Sequence, residues 1–482
     1  MTRQHYKTLL SVLLLVAFAT SAPAQDRHAK TPQTTLLNLQ QDFTFFKTIL
    51  SENYPSLYRY TGKAKLDRQF DSCYAAIGPQ TTEIEFLKII KLLFSAIKDG
   101  HLYCGPSPQL RQYMDEEAKL FPLKIQFIGN KAYLRASSGS DLPAGTEILS
   151  IDHKPVNEIK KELFRYMVSD GNIESKKYHI LNYAFSSYYL MVFGERPDFA
   201  VTYKSNKVQK TIKVSAVRRK DIPKDAESNG LQDLLKLTFK DSIALLTIKT
   251  FDSVALKDAG NDYRAFLESS FKEINRRSIK KLVIDLRGNG GGRDLYGALL
   301  YAYLADKKFA YYKQLTAATT KLPYEQFRSN NSSYNNLDST MLDSVDAHSF
   351  RLKNIAHPGL GVLEPNKTRY SGKVWFLIDG LSFSATAEFC AVARGNRRGK
   401  FIGQETGGGY EGNTSMQIDT TLPNTKTAIS FGMIKYEMAV TKARYKGRGV
   451  IPNYIITPTI SDIINKKDPQ LDFAMTLAHS IR

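Results

Sequence analysis

The stretch Leu282-Val-Ile-Asp-Leu-Arg-Gly-Asn-Gly-Gly-Gly292 decides how this chain reads. Apolar residues run unbroken up to Asp285, as they do in a strand buried on both faces of a parallel sheet. The run then empties into glycines, which lack a Cβ and can turn successive N–H groups toward one anionic point. Two further segments have the same form: the apolar strand Ile243–Ile248, and residues 374–378 leading into Asp379-Gly380. Helical spacing lies between them, across about 259–274 and 294–304. Strand alternating with helix predicts an α/β domain whose chemistry collects at the carboxyl ends of its strands. The glycine turn is not a dinucleotide loop, because Arg293 stands where the third glycine of that pattern belongs, and no Walker lysine follows.

The third strand delivers the chain to Ile378-Asp-Gly-Leu-Ser-Phe-Ser-Ala-Thr-Ala-Glu388. A serine on the first turn of a helix, just past a buried strand, presents its hydroxyl at the sheet edge with the positive helix end behind it. Ser384 has that position. Its structural reading is a helix N-cap, a role Ser382 fills equally well. The G-x-S-x-G elbow of α/β-hydrolases is absent.

Outward from this core, residues 36–97 place Phe43, Phe46 and Leu50, and later Phe86, Ile89, Ile90, Leu93, Phe94 and Ile97, at helical spacing. The second of these helices runs into Lys98-Asp-Gly-His101, where Gly100 is the expected left-handed stop. From about 121 to 214 the period shifts toward two, with turns at Gly129-Asn130 and Ser205-Asn206, and predicts hairpins. The intervening Leu142-Pro-Ala-Gly-Thr-Glu-Ile-Leu-Ser-Ile-Asp-His-Lys-Pro-Val156 resembles a PDZ segment of turn, strand, turn and helix. Residues 218–233 read as a linker, and the polar run 322–369 as a loop or lid over the α/β domain.

Composition sets the frame. A chain of 482 residues, 42% hydrophobic and 24% charged, predicts about three globular domains. The net charge of +20 invites a nucleic-acid reading, but basic residues come as scattered pairs such as Arg218-Arg219 and Arg397-Arg398, so no nucleic-acid partner is expected. Arg3 and Lys7, an apolar run over 9–19 and Ala22-Pro-Ala24 have the order of a secretory signal with cleavage after Ala24. Cleavage removes two of the positive charges. A periplasmic or secreted protein follows, with the remaining charge favouring solubility and peripheral attraction to acidic envelope surfaces. Cys73, Cys104 and Cys390 are too few for a disulfide scaffold, and a Cys73–Cys104 bridge and free thiols both remain open. The eight histidines contain no H-E-x-x-H, so neither metal nor cofactor is expected.

In order, Asp99-Gly-His101, the PDZ-like stretch, the 285–292 turn, Ser384-Ala-Thr-Ala-Glu388, Phe401-Ile-Gly-Gln-Glu-Thr-Gly-Gly-Gly409 and Gly447-Arg-Gly-Val-Ile-Pro-Asn453 resemble the tail-specific, or C-terminal-processing, serine peptidases. The resemblance implies a helical region at 25–110, a PDZ-like module at 111–216, a linker at 217–233 and a crotonase-like, ClpP-like core at 234–482. It makes Ser384 the nucleophile and puts the amides of the Gly290-Gly291 turn and Ala385 in an oxyanion hole. Most members carry a general-base lysine where this chain has Gly409, so the Ser–Lys dyad is not expected. The tricorn-like branch keeps a histidine after the N-terminal helices, and His101 matches it. Asp99, Glu388, Glu405 and Glu437 all remain candidates to orient the imidazole, with Glu388 favoured as one helical turn from Ser384. Lys446 and Asn453 stand where the last motif is usually acidic. The implied function is an exported serine endopeptidase acting through an acyl-enzyme on unfolded or C-terminal polypeptide segments. The alternative is a silent ligand-binding or PDZ scaffold protein of the same fold.

Overall fold

The computed structural model describes residues 34–136, 142–222, 233–321, 337–346, 349–441 and 446–480. The expected signal and its cleavage point lie outside them, as does most of the expected linker.

The core sheet forms because its strands are apolar on both sides. Its order is Tyr454–Ile455, Lys400–Gly403, Lys373–Ile378, Lys281–Asp285, Ile243–Ile248 and Leu235–Lys240, parallel except for the last pair. Leu282, Ile284, Val374 and Phe376 face one core together with Phe389 and Val392 of helix Ala385–Gly395, while Val283, Trp375 and Leu377 face the other with Ala474 and Ala478 of helix Pro469–Ser480. All are almost fully buried, and each valine, leucine, isoleucine or phenylalanine among them contributes roughly 1.5–3 kcal/mol. Register matters for function: Asp285 lies beside Leu377, and Ile378 beside Gly403, so the loops after three parallel strands emerge at one edge.

A second sheet covers that edge. Its order is Tyr103–Gly105, Ala428–Met438, Tyr312–Ala317, Ser349–Leu352 and Leu342–Asp346, with Thr414–Thr421 also on Ala428–Met438. The short strand Tyr103–Gly105 pairs Cys104 with Ile429, which fastens the turn just before it to the core. The polar run expected to be a loop or lid is corrected in part: Leu342–Asp346 and Ser349–Leu352 form a hairpin that extends this sheet, while 322–336 lie outside the described residues. Polar composition hid the hairpin because only Leu342 and Leu352 of its strands are buried.

Helices Leu36–Asn53, Lys63–Ala75 and Glu83–Ile97 bury Phe43, Phe46, Phe70 and Phe94 against one another and join the large core. The last is started by a capping box of Thr82 and Glu85. It ends on Lys98 in the left-handed conformation (φ 66°, ψ 40°), not on Gly100 as expected. Gly100 is required for space instead: a Cβ there would stand 2.9 Å from the Phe383 ring and 3.1 Å from Asp170 Oδ1.

Residues 121–217 build a third sheet with its own core, in the order Lys124–Ile128, Lys131–Ala136, Glu147–Ile151, Asp198–Ser205 and Val208–Ser215. A helix the period-two reading did not anticipate, Ser175–Phe193, crosses it and is kinked at Ala184. Asn182 on this helix accepts from the Phe127 N–H (2.7 Å) and donates to the Phe127 carbonyl (3.3 Å), so the outer edge of strand Lys124–Ile128 is already occupied. The three cysteines are buried free thiols. No helix among the described residues is long and apolar enough to cross a membrane.

Candidate active site

Ser384 precedes helix Ala385–Gly395 at the cap position, yet its hydroxyl caps nothing. Its backbone has φ 53° and ψ −129°, a left-handed conformation that costs a non-glycine residue about 1–3 kcal/mol and is held only where the surroundings impose it. Those surroundings are visible. The buried Ser382 hydroxyl donates to the Leu286 carbonyl (2.9 Å) and accepts from the Asp379 N–H (3.1 Å), while the Phe383 N–H reaches the Asn289 carbonyl (3.1 Å). Asp379 Oδ1 accepts from Gly288 N–H (3.1 Å) and Leu381 N–H (2.9 Å). The two strand-end loops are thus laced together, and the lacing turns the Ser384 side chain outward.

There Ser384 Oγ lies 3.0 Å from Nε2 of His101, a residue 283 positions earlier in the chain. His101 stays put because Tyr103–Gly105 is stitched into the second sheet, and because its ring packs at a tilt against Phe383, with centroids 4.4 Å apart. Behind the ring, Asp99 Oδ1 accepts from the His101 backbone N–H (2.8 Å) and stands 3.6 Å from Nδ1, while Asp99 Oδ2 accepts from the Tyr54 hydroxyl (2.6 Å). Burial pushes the Asp99 carboxyl up, but the imidazole, that N–H and Tyr54 outweigh it and hold the group well below the usual carboxylate range. Asp99 is therefore a fixed anion facing Nδ1. With the ring proton on Nδ1, Nε2 is free to accept from Ser384.

Glu388 does not join this line. Although it sits one turn after Ser384, its carboxyl accepts from the Tyr312 hydroxyl (2.6 Å) and the Asn413 side-chain amide (2.7 Å). Burial, reinforced by Asp294, pushes it up to about 7. Spacing along a helix fixes a face but not the depth to which the side chain points. Glu405 is engaged by Arg448 (2.7 Å) and Glu437 by Gln314 (2.7 Å).

Two groups absent from the sequence reading, the buried Asp170 and the half-buried Lys176, complete the surroundings. Asp170 accepts from Gly100 N–H (2.6 Å) and Gly409 N–H (2.8 Å), tying the histidine turn to the loop that follows strand Lys400–Gly403. Burial and the neighbouring Asp99 both raise its carboxyl. Lys176 donates to the Gly100 carbonyl (2.7 Å) and holds its ammonium 3.3 Å above the Phe383 ring centroid. Burial lowers it to about 8, opposed by Asp170 and Asp99. No local motif marks either residue; both lie in the chain between strands Glu147–Ile151 and Asp198–Ser205 of the third sheet. Asp99, His101 and Asp170 bring ligand atoms within 4.8 Å of one another. Both oxygens of each carboxylate already accept hydrogen bonds, so the cluster supports the imidazole rather than composing a metal-ligand set.

Of the expected oxyanion donors, Gly291 is differently employed: its N–H donates to Asn289 Oδ1 (3.0 Å). Its own role is steric, because with φ 96° a Cβ would stand 2.7 Å from Ser384 Cβ. Gly290 and Ala385 keep their places beside it, at the turn and on the first helical residue, and neither N–H is committed among the described residues. The arrangement can activate a hydroxyl, receive its proton and offer amides to a developing oxyanion.

The model of peptidase family S41 matches residues 242–456. No curated protein matches the chain in sequence. Among solved structures, mature CPAF complexed with lactacystin is similar with a TM-score of 0.61 at 14% identity, covering 92% of this chain and 98% of that one. A serine-to-alanine mutant of CPAF is similar with a TM-score of 0.62 at 15% identity, covering 92% and 96%. At such identities the likeness speaks for the fold.

Proposed function

From the peptidase family S41 domain that this chain carries, we propose an exported serine endopeptidase in which Ser384 is the nucleophile, His101 the general base and Asp99 the carboxylate that orients it. The observation that carries the reading is the 3.0 Å approach of Ser384 Oγ to His101 Nε2 across 283 positions, at a strained serine whose hydroxyl has no capping duty. In the reaction, His101 takes the hydroxyl proton as Oγ attacks a peptide carbonyl. The imidazolium so formed faces the Asp99 anion, and the carbonyl oxygen turns toward the Ala385 and Gly290 amides. His101 then returns the proton to the departing amine, and water hydrolyses the acyl-enzyme by the same steps.

Lys176 is not the base in this reading, because its ammonium is spent on the Gly100 carbonyl and the Phe383 ring. Strand addition to Lys124–Ile128 is not part of the proposal either, since Asn182 occupies that edge. Unfolded polypeptide entering the cleft beside Ser384 is the substrate, and export is proposed on the order of charged, apolar and small residues up to Ala24. The test is turnover of labelled casein by the purified mature chain. Wild type releases label and Ser384→Ala does not; equal release by both would refute the assignment.

A further inference from the structure

A cavity of about 640 Å³ opens directly beside Ser384 and Ala385. Its walls include Leu315, Leu352, Met416 and Ile434, and its polar groups gather at Asp294, His357 and Glu388. We infer that this cavity is the specificity pocket for a cationic side chain, lysine or arginine, adjacent to the scissile bond. The inference rests on the serine-peptidase reading of the site and deepens it.

Shape comes first. Glu388 stands one helical turn from Ser384, about 5 Å further along the axis. A residue held with its carbonyl at Ser384 therefore directs its side chain down the apolar wall toward the carboxylates. Lysine and arginine suit such a path, because their methylene stems lie along apolar surface while the charged head seeks polar partners. An aliphatic side chain would fill the wall and leave the carboxylates facing nothing.

Charge comes second. Asp294 Oδ2 lies 2.9 Å from His357 Nε2, and Nδ1 of that histidine accepts from Gly359 N–H (3.0 Å). With Nδ1 accepting, the ring proton on Nε2 is directed at the Asp294 carboxylate. Glu388 adds a second carboxyl that receives hydrogen bonds from Tyr312 and Asn413 and pairs with no Lys or Arg among the described residues. Arg293 belongs to the lining, yet it is exposed, with its guanidinium 5.7 Å over the Tyr296 ring, and makes no ion pair with Asp294 among the described residues. The floor thus holds two carboxyl groups that have no Lys or Arg partner among the described residues. Tyr436, whose ring lies edge-on to Tyr312 and His357, closes the side behind them.

The experiment compares two peptides that differ only in lysine or norleucine beside the scissile bond, since norleucine keeps the stem and lacks the ammonium. Wild-type enzyme is expected to show kcat/KM at least tenfold higher for the lysine peptide. Glu388→Gln and Asp294→Asn are each expected to lower kcat/KM for the lysine peptide at least tenfold more than for the norleucine peptide. The norleucine rate reports whether each variant is folded. Labelling of Ser384 by a fluorophosphonate separates the two levels of the argument. Labelling and cleavage with no lysine preference, or with equal losses on both peptides, overturn the pocket assignment alone. Absence of labelling and of cleavage overturns the pocket and the peptidase reading together.

Discussion

Replacing Asp99 by asparagine is the most searching perturbation of the proton path. Asp99 Oδ1 stands 3.6 Å from His101 Nδ1, and at that separation an imidazolium and a carboxylate attract by about 4–5 kcal/mol at an effective dielectric of about 20. The attraction exists only while His101 carries the serine proton, so its loss falls on the transition state. At about 1.4 kcal/mol per factor of ten, kcat should fall by about a thousandfold. The fold has less to lose: asparagine can still accept from either the His101 N–H or the Tyr54 hydroxyl, the two bonds now at 2.8 and 2.6 Å. Its amide also favours the tautomer with the proton on Nε2, which cannot accept from Ser384. The assay is steady-state cleavage of a quenched peptide at pH 8, with a melting curve for each variant. A kcat within tenfold of wild type for Asp99→Asn, alongside a larger loss for Asp170→Asn, would show that the wrong carboxylate has been assigned.

Gly291→Ala should cost roughly 1–3 kcal/mol of stability, because its φ is 96° and the new methyl meets Ser384 Cβ at 2.7 Å; displacing the nucleophile should lower kcat/KM about a hundredfold while KM changes little. Glu388 gives a pH signature. Its folded value, up to about 7 from an ordinary 4.5, means the folded state keeps a proton that the unfolded chain releases, so stability falls as pH rises from about 4.5 to 7. Glu388→Gln removes that penalty, and its melting temperature relative to wild type should climb across this window and level off above it; parallel curves would contradict the burial argument. Because Cys73 and Cys104 are separate buried thiols, dithiothreitol should leave the melting temperature unchanged, whereas a fall would reveal a bridge. Ser382→Ala should lower stability by about 1–3 kcal/mol through the orphaned Asp379 N–H, read by urea denaturation.

What the sequence discloses here follows from how local each cause is. The strands of the core sheet are apolar runs bounded by glycine turns, and buried parallel strands write themselves that plainly. Ser384 was marked by a strand-to-helix junction and His101 by a helix end, both short-range features, but their 3.0 Å approach depends on sheet pairing that no local pattern encodes. Helix Ser175–Phe193 is masked in the sequence because its tyrosines and phenylalanines favour strands by propensity; the signal that finds it is Leu181, Phe185 and Tyr189, buried at intervals of four. The helix stop fell on Lys98 rather than Gly100 because the glycine is needed for contact with Phe383 and Asp170, a demand made by residues far along the chain. Asp170, Lys176 and the true surroundings of Glu388 were out of reach for the same reason: each is defined by partners from other segments.

The central claim is that His101 makes the Ser384 hydroxyl a nucleophile, and one measurement addresses it directly. The mature wild-type chain and His101→Ala are incubated with a fluorophosphonate at pH 8, and the modified residue and its rate of modification are read by peptide mass spectrometry. A single adduct on Ser384 is expected in wild type, formed at least a hundredfold more slowly in His101→Ala. An adduct at another serine, or the same rate at Ser384 in both proteins, would contradict it.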